Sequence, residues 1–260
     1  MNRRELCLGV SALTFVALTP GLALAADAAL EKAVANPKRT AANALRDPAR
    51  HPIACLTFWG LKPGMTVVEI DPGKPGYWQE IVQPYVEASG GHYIAAAIPF
   101  YRGEGPNAPL SMTSGPIAPA GTADMVLTAR NIHNMMWQPG MLAKMLKDFN
   151  AVLKPGGILA VEEHRADPTP QVDTPRPANT GYVAVANVVN ACKAAGFVLE
   201  AQSEINANPK DTKDYYFGVW TLKPSREDSE PGKPTPPNWD RAKYDAIGES
   251  DRMTLRFRKA

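Results

Sequence analysis

The chain has 260 residues, 45% of them hydrophobic, with 28 basic and 26 acidic side chains and a formal net charge of +2. That is enough apolar material for one large core, and a length that one decorated domain fills. The near balance of charge, with no basic run or stripe, argues against nucleic-acid binding and against electrostatic docking on a membrane.

The first element is a leader. Arg3 and Arg4 precede an apolar stretch over residues 6–18, and Ala23-Leu24-Ala25 forms a small-x-small site. This is the pattern of a signal peptide over residues 1–25, cut before Ala26. The apolar stretch is too short for a membrane anchor and is interrupted by Gly9, Ser11 and Thr14. Residues 26–260 are therefore expected to be exported, to a periplasm, with no stable membrane insertion after cleavage. The Arg3-Arg4-Glu5-Leu6 run also fits a twin-arginine leader, which carries folded proteins; both routes stay open. Cys7 leaves with the leader. Cys55 and Cys192 lie in apolar helical patterns and read as buried free thiols, although an oxidising compartment permits a disulfide.

The exported chain opens on a lead-in over 26–64, helical at 28–35, 40–45 and 52–59. Residues 65–70 form a short apolar run rich in β-branched side chains, which predicts a buried strand. A Gly/Pro loop follows at 71–76, then a helix over 77–87. A second strand is predicted at 92–98, a short one near 110–113, and another at 124–129. A helix over 139–153 ends in Lys154-Pro155-Gly156-Gly157, followed by a strand at 158–163. A helix over 182–195 and strands at 197–204 and 217–222 come next. Residues 225–260 form a Pro-rich, charged extension with a last edge strand at 253–258. Strands alternating with helices predict an α/β domain, a Rossmann-like, mostly parallel sheet with helices on both faces.

Several stretches resemble the class I S-adenosylmethionine-dependent methyltransferases. They are "GLKPGMTVVEI", the glycine loop, "ADMVLTARNIHN", "LKPGGILAVEEHR" and a helix ending in "AAGF", in that order, over roughly residues 41–222. More narrowly, "PGYWQEIVQPY", "EEHRA", "TGYV", "ANPKDT" and "GESDRMTL" resemble an exported subfamily of predicted methyltransferases. The resemblance implies that S-adenosylmethionine is the cofactor and that Glu69 and the loop with Gly73 and Gly76 hold its methionine end; Asp71 and Asn131 are further candidates for binding it. A backbone that approaches a cofactor closely must lack side chains, which is the reason for glycine there. The loop departs from the family pattern. Asp71 stands where glycine is usual, Pro72 and Pro75 stiffen it, and Lys74 is an insertion. Ala96-Ala97-Ile98 lacks the acid that holds the ribose hydroxyls, and Thr113-Ser114-Gly115 stands where an acid often lies near the adenine.

Ligands of a parallel sheet sit at the carboxyl ends of its strands. Asn131, His133 and Asn134 follow one strand, and Glu162, Glu163 and His164 end the next. Methyl transfer is mostly a matter of alignment, helped by a base that deprotonates the acceptor. His133 is the first candidate for that base and His164 the second, with Glu163 orienting it. Histidines at strand ends are also common structural hydrogen-bonders. With four histidines, at 51, 92, 133 and 164, no metal-binding spacing occurs, so no metal is expected. Trp59, Tyr77, Trp78, Tyr85 and Trp137 are candidates for the walls of the mouth or for packing. Arg46, Asp47 and Arg50 are candidates for a lid, or for a solvated helix end. Two functions remain: methyl transfer to a small molecule, or small-ligand binding by a non-catalytic exported protein that keeps the fold.

Overall fold

The computed structural model describes residues 27–96, 117–167 and 180–260. The leader, Ala97, Ile98, the strand expected near 110–113 and Thr113-Ser114-Gly115 lie outside the described residues.

The lead-in forms α1 (Ala28–Val34), α2 (Ala41–Ala44), α3 (Asp47–Arg50) and α4 (Pro52–Trp59). Then come β1 (Thr66–Ile70), α5 (Gln79–Glu87), β2 (His92–Ala96) and β3 (Ala123–Ala129). They are followed by α6 (Ile132–Met135), α7 (Met141–Val152), β4 (Leu153–His164), α8 (Val185–Ala194), β5 (Phe197–Ser203), α9 (Arg241–Ile247) and β6 (Arg252–Lys259). The sheet runs β2-β1-β3-β4-β6-β5; β2, β1, β3 and β4 are parallel, and β6 is antiparallel to both of its neighbours. The α/β, mostly parallel architecture expected from the alternation of elements is the one the chain adopts.

Successive strand residues face opposite sides, and here each side has its own core. Val67, Met125, Leu127, Ile158 and Ala160 pack with α1, α4 and α5. Val68, Ile70, Val126, Leu159 and Val161 pack with α7 and α8. In the first core Trp59 and Trp78 meet edge-on at 5.2 Å, a contact worth about 0.5–1.5 kcal/mol beyond its buried area. Cys55 belongs to the first core and Cys192 to the second, so the sheet separates the two thiols. Both are free and buried, and burial pushes each up to about 12.

Three expectations need correction. Residues 217–222 are not a strand: Gly218–Thr221 is a turn of 3-10 helix. Gly218 sits at φ +54, and a Cβ there would stand 2.3 Å from the Thr180 carbonyl oxygen. A short apolar run does not by itself distinguish a strand from a buried turn. The last strand is not an edge. β6 lies inside the sheet between β4 and β5, with Met253, Leu255 and Phe257 in the core and arginines on the other face. Arg256 and Arg258 both pair with Glu200 of β5, so their alternation reflects a half-exposed polar face of an inner strand rather than a free edge. Finally, β4 begins at Leu153, because the Lys-Pro-Gly-Gly segment is drawn into a bulged extension of the strand. The connection between β5 and β6, residues 204–251, folds back over the carboxyl ends of the strands and builds a small third cluster around Tyr182, Tyr215 and Leu222.

Candidate active site

From β1 the chain passes to β2 on one side of the sheet and then to β3 on the other. Such a switch point leaves a crevice at the carboxyl ends of β1 and β3. A cavity of about 340 Å³ opens there, walled by Asp71 and Gly73 after β1, Arg130 and His133 after β3, and His164 at the end of β4. Its outer side comes from the β5–β6 connection, which contributes Val219, Trp220 and Lys223.

The residues at the two strand ends are held in unusual backbone geometry. Asp71 sits at φ +47 and Arg130 at φ +60, each costing roughly 1–2 kcal/mol for a side chain other than glycine. The Asp71 N–H donates to Ala96 O at 2.8 Å and the Arg130 N–H to Glu162 O at 2.7 Å. These bonds turn both chains sharply at the cavity wall. Asn131 then clamps the crevice, donating from Nδ2 to the Ile70 carbonyl at 2.9 Å and accepting from Asn134 Nδ2 at 3.2 Å.

His133 lies on α6, a helix too short for its periodicity to be read in the sequence, and is 3% exposed. Glu163, fully buried, is the hub of this corner. One oxygen accepts from His133 Nδ1 at 2.9 Å and from the His164 N–H at 2.7 Å; the other accepts from the His133 N–H at 3.0 Å. A carboxylate against Nδ1 places the proton there and leaves the Nε2 lone pair for the cavity. His164 Nδ1 lies 2.6 Å from Ser250 Oγ. Burial, with His133, Arg130 and Arg252 nearby, holds His164 well below the ordinary imidazole range, so it stays neutral. Of the two histidines, only His133 has a carboxylate to stabilise an imidazolium.

His133, Glu163 and His164 offer ligand atoms that all lie within 4.8 Å of one another. Chain spacing hid this cluster, because one β-strand end and one helix turn bring it together. Both Glu163 oxygens accept from N–H donors of the two histidines.

Of the remaining candidates, Gly73 and Trp137 line the cavity and the others lie away from it. Gly73, at φ +77, has no heavy atom within 4 Å of where a Cβ would stand, so its backbone faces open space. Gly76 is inside the turn instead: a Cβ there would lie 2.9 Å from Gln79 Cβ and 3.0 Å from Pro72 Cβ. Glu69 is 2% exposed beneath the loop, accepting from Tyr93 Oη at 2.7 Å. Trp59, Tyr77, Trp78 and Tyr85 are core, leaving Trp137 at the mouth. The lead-in arginines are not a solvated helix end. Arg50 is fully buried, and Arg46 and Arg50 both pair with Glu249. Arg130, Trp220 and Lys223 were not singled out by sequence. Arg130 stands beside the Asn-x-His motif that drew attention to its neighbours, Trp220 falls in the segment read as a strand, and Lys223 follows directly after it.

Burial pushes the Glu69 carboxyl up to about 8, against the smaller downward pulls of Tyr93 and Arg130. A carboxyl bound more tightly to its proton in the folded state stabilises the fold below its unfolded value of 4.5, and that contribution fades as pH rises through about 8. Wild-type stability is thus expected to fall relative to Glu69→Gln by about 1–4 kcal/mol between pH 5 and 9. Parallel denaturant titrations of the two proteins check it; a constant difference across that range contradicts it.

The sequence matches no protein-family model and no curated protein. Solved structures with a similar fold include a SAM-dependent methyltransferase from Aquifex aeolicus, 20% identical, with a TM-score of 0.46 over 62% of this chain and 87% of that one. Another is a 1,6-didemethyltoxoflavin-N1-methyltransferase from Burkholderia thailandensis, solved with 1,6-didemethyltoxoflavin and S-adenosylhomocysteine. It is 14% identical, with a TM-score of 0.44 over 90% of this chain and 79% of that one. A phosphoethanolamine N-methyltransferase 2 from Haemonchus contortus, in complex with S-adenosyl-L-methionine, is 13% identical, with a TM-score of 0.43 over 81% of this chain and 52% of that one. At these identities the likeness is one of fold, and no side-chain role passes from those proteins to this chain.

Proposed function

We propose that this chain is an exported methyltransferase that uses S-adenosylmethionine to methylate a small molecule, with His133 as general base. The observation that carries the proposal is the His133–Glu163 pair, buried at 2.9 Å and opening on a cavity at the sheet's switch point. The cofactor, when bound, supplies an activated methyl group on a cationic sulfur. The residues at the strand ends fit it: Asp71 lends the wall a carboxylate, Gly73 leaves bare backbone, and Glu69 is buried on β1 two residues before Asp71. His133 Nε2 takes the acceptor's proton, and Glu163 steadies the resulting imidazolium through Nδ1. Val219 and Trp220 give the outer side of the cavity an apolar lining beside His133.

Non-catalytic binding of a small ligand is the second reading. It is favoured by Asn131, whose amide is spent on Ile70 and Asn134, and by Ala96, which brings no acid to the end of β2. Because the cofactor is made in the cytosol, catalysis after export requires that it travel bound inside a folded chain. Mass spectrometry of the exported product under native conditions tests both points at once. A chain beginning at Ala26 that carries S-adenosylmethionine or S-adenosylhomocysteine is the expected result. A chain retaining Met1, or one that repeatedly emerges without either nucleoside, contradicts the proposal.

A further inference from the structure

The floor of the cavity adjoins a buried group of arginines that the carboxylates around it do not neutralise. Arg46, Arg50 and Arg252 all pair with Glu249, at 2.9, 2.9 and 3.0 Å, and Arg252 also pairs with Glu162. Arg130 is in electrostatic reach of Glu162, Glu249, Arg46 and Arg252. Four guanidinium groups therefore share two carboxylates. Glu69 also faces Arg130, but it is already bonded to Tyr93. Several N–H groups in this cluster are buried without an acceptor: both Nη atoms of Arg50, one of Arg46, and Nε of Arg130. Unpaired buried donors of a charged group are costly, and Arg130 is the member of the cluster that reaches the cavity wall. Lys223 also lines this cavity, while the wall's acid is Asp71. Trp220 and Trp137 form the apolar side, their rings 6.3 Å apart, with Trp220 edge-on to His133 at 5.9 Å.

We propose that the cavity takes an aromatic carboxylic acid, its carboxylate held by Arg130 with help from Lys223 and its ring against Trp220 and Trp137. Calling this ligand the methyl acceptor rests on the methyltransferase reading; the anion site does not. The planar fork of arginine matches a carboxylate with two parallel hydrogen bonds, so the recognition is directional as well as charged. A ring seated beside Trp220 also lies next to His133, which suits an acceptor bearing a hydroxyl on the end away from its carboxylate.

The test compares 4-hydroxybenzoate with its neutral isostere 4-hydroxybenzamide, each titrated by calorimetry into a chain of residues 26–260. The acid should bind at least about tenfold more tightly than the amide, as loss of a charge-assisted pair implies. Arg130→Gln should erase that preference, and Lys223→Gln, at an exposed position where folding is not at issue, should reduce it about threefold. S-Adenosylhomocysteine is titrated into the same proteins as the control on the cofactor. Its affinity should be unchanged by Arg130→Gln; a parallel tenfold loss would assign Arg130 to the cofactor and overturn the proposal. Equal binding of acid and amide to the wild type, or no binding of the acid, overturns it as well. A wild type that prefers the acid but ignores S-adenosylhomocysteine upholds the anion site and removes the methyltransferase reading instead.

Discussion

Glu249→Gln is expected to destabilise the chain by about 3–5 kcal/mol, the cost of leaving buried cations without their counter-ion. Glu249 is 7% exposed and pairs with Arg46, with the fully buried Arg50 and with Arg252, which is 1% exposed. Its substitution leaves Glu162 alone to face all three. The hub also ties distant parts of the chain together, because Arg46 and Arg50 belong to the lead-in and Arg252 opens β6. A domain of this size should therefore lose about 6–20 °C in Tm. Glu249→Gln combined with Arg50→Met should recover part of that loss by removing an unneutralised cation, although it also removes the contact of Arg50 with the Tyr77 ring at 4.5 Å. Calorimetric melting of the single and double variants checks both statements. A drop below 2 °C for the single variant would contradict the account of this cluster.

The second large effect is catalytic. His133→Ala should lower turnover by about 10²–10⁴-fold, the usual range for loss of a general base, and leave cofactor affinity within about twofold. Glu163→Gln should lower turnover by a similar factor, since the amide neither fixes the Nδ1–H tautomer nor stabilises an imidazolium. It should also cost stability, because three N–H donors converge on the two Glu163 oxygens. Turnover of the single variants separates the roles. His164→Gln should keep turnover within about tenfold of wild type. If His164→Gln loses the larger share and His133→Ala keeps turnover, the base has been assigned to the wrong histidine.

The parts of this fold that rest on local pattern were legible in the sequence. The apolar, β-branched runs at β1 and β3 announce buried strands, and the helices flanking them follow from the switch in period. The corner holding His133, Glu163 and His164 was legible too, because neighbouring parallel strands present their carboxyl ends together. What failed has a common cause in long-range pairing. β6 lies inside the sheet with its apolar residues in the core, while on its other face Arg256 and Arg258 find Glu200, and Arg252 finds Glu162 and Glu249. No local rule distinguishes arginines that face such partners from arginines that face water. The period of two along Glu162 and Glu163 did carry information, since adjacent carboxylates must point to opposite sides of the sheet. Glu163 meets the histidines and Glu162 meets Arg252. Trp220 reaches the cavity on a 3-10 turn and Lys223 just after it, and a turn of that length has no period to read.

Whether the crevice at the ends of β1 and β3 holds S-adenosylmethionine is decided by titrating it into residues 26–260 in a calorimeter. Wild type and Glu69→Gln are compared at pH 7 and at pH 9. Glu69 is buried under the loop with Tyr93 as its hydrogen-bond donor, and its carboxyl is raised to about 8. A cationic methionine end above it should draw the proton off, so wild-type binding at pH 7 should release protons and tighten toward pH 9. Glu69→Gln should bind about tenfold more weakly at pH 9, with no proton release and no pH dependence of its own. Binding by neither protein, or equal affinity of the two at both pH values, would contradict the account.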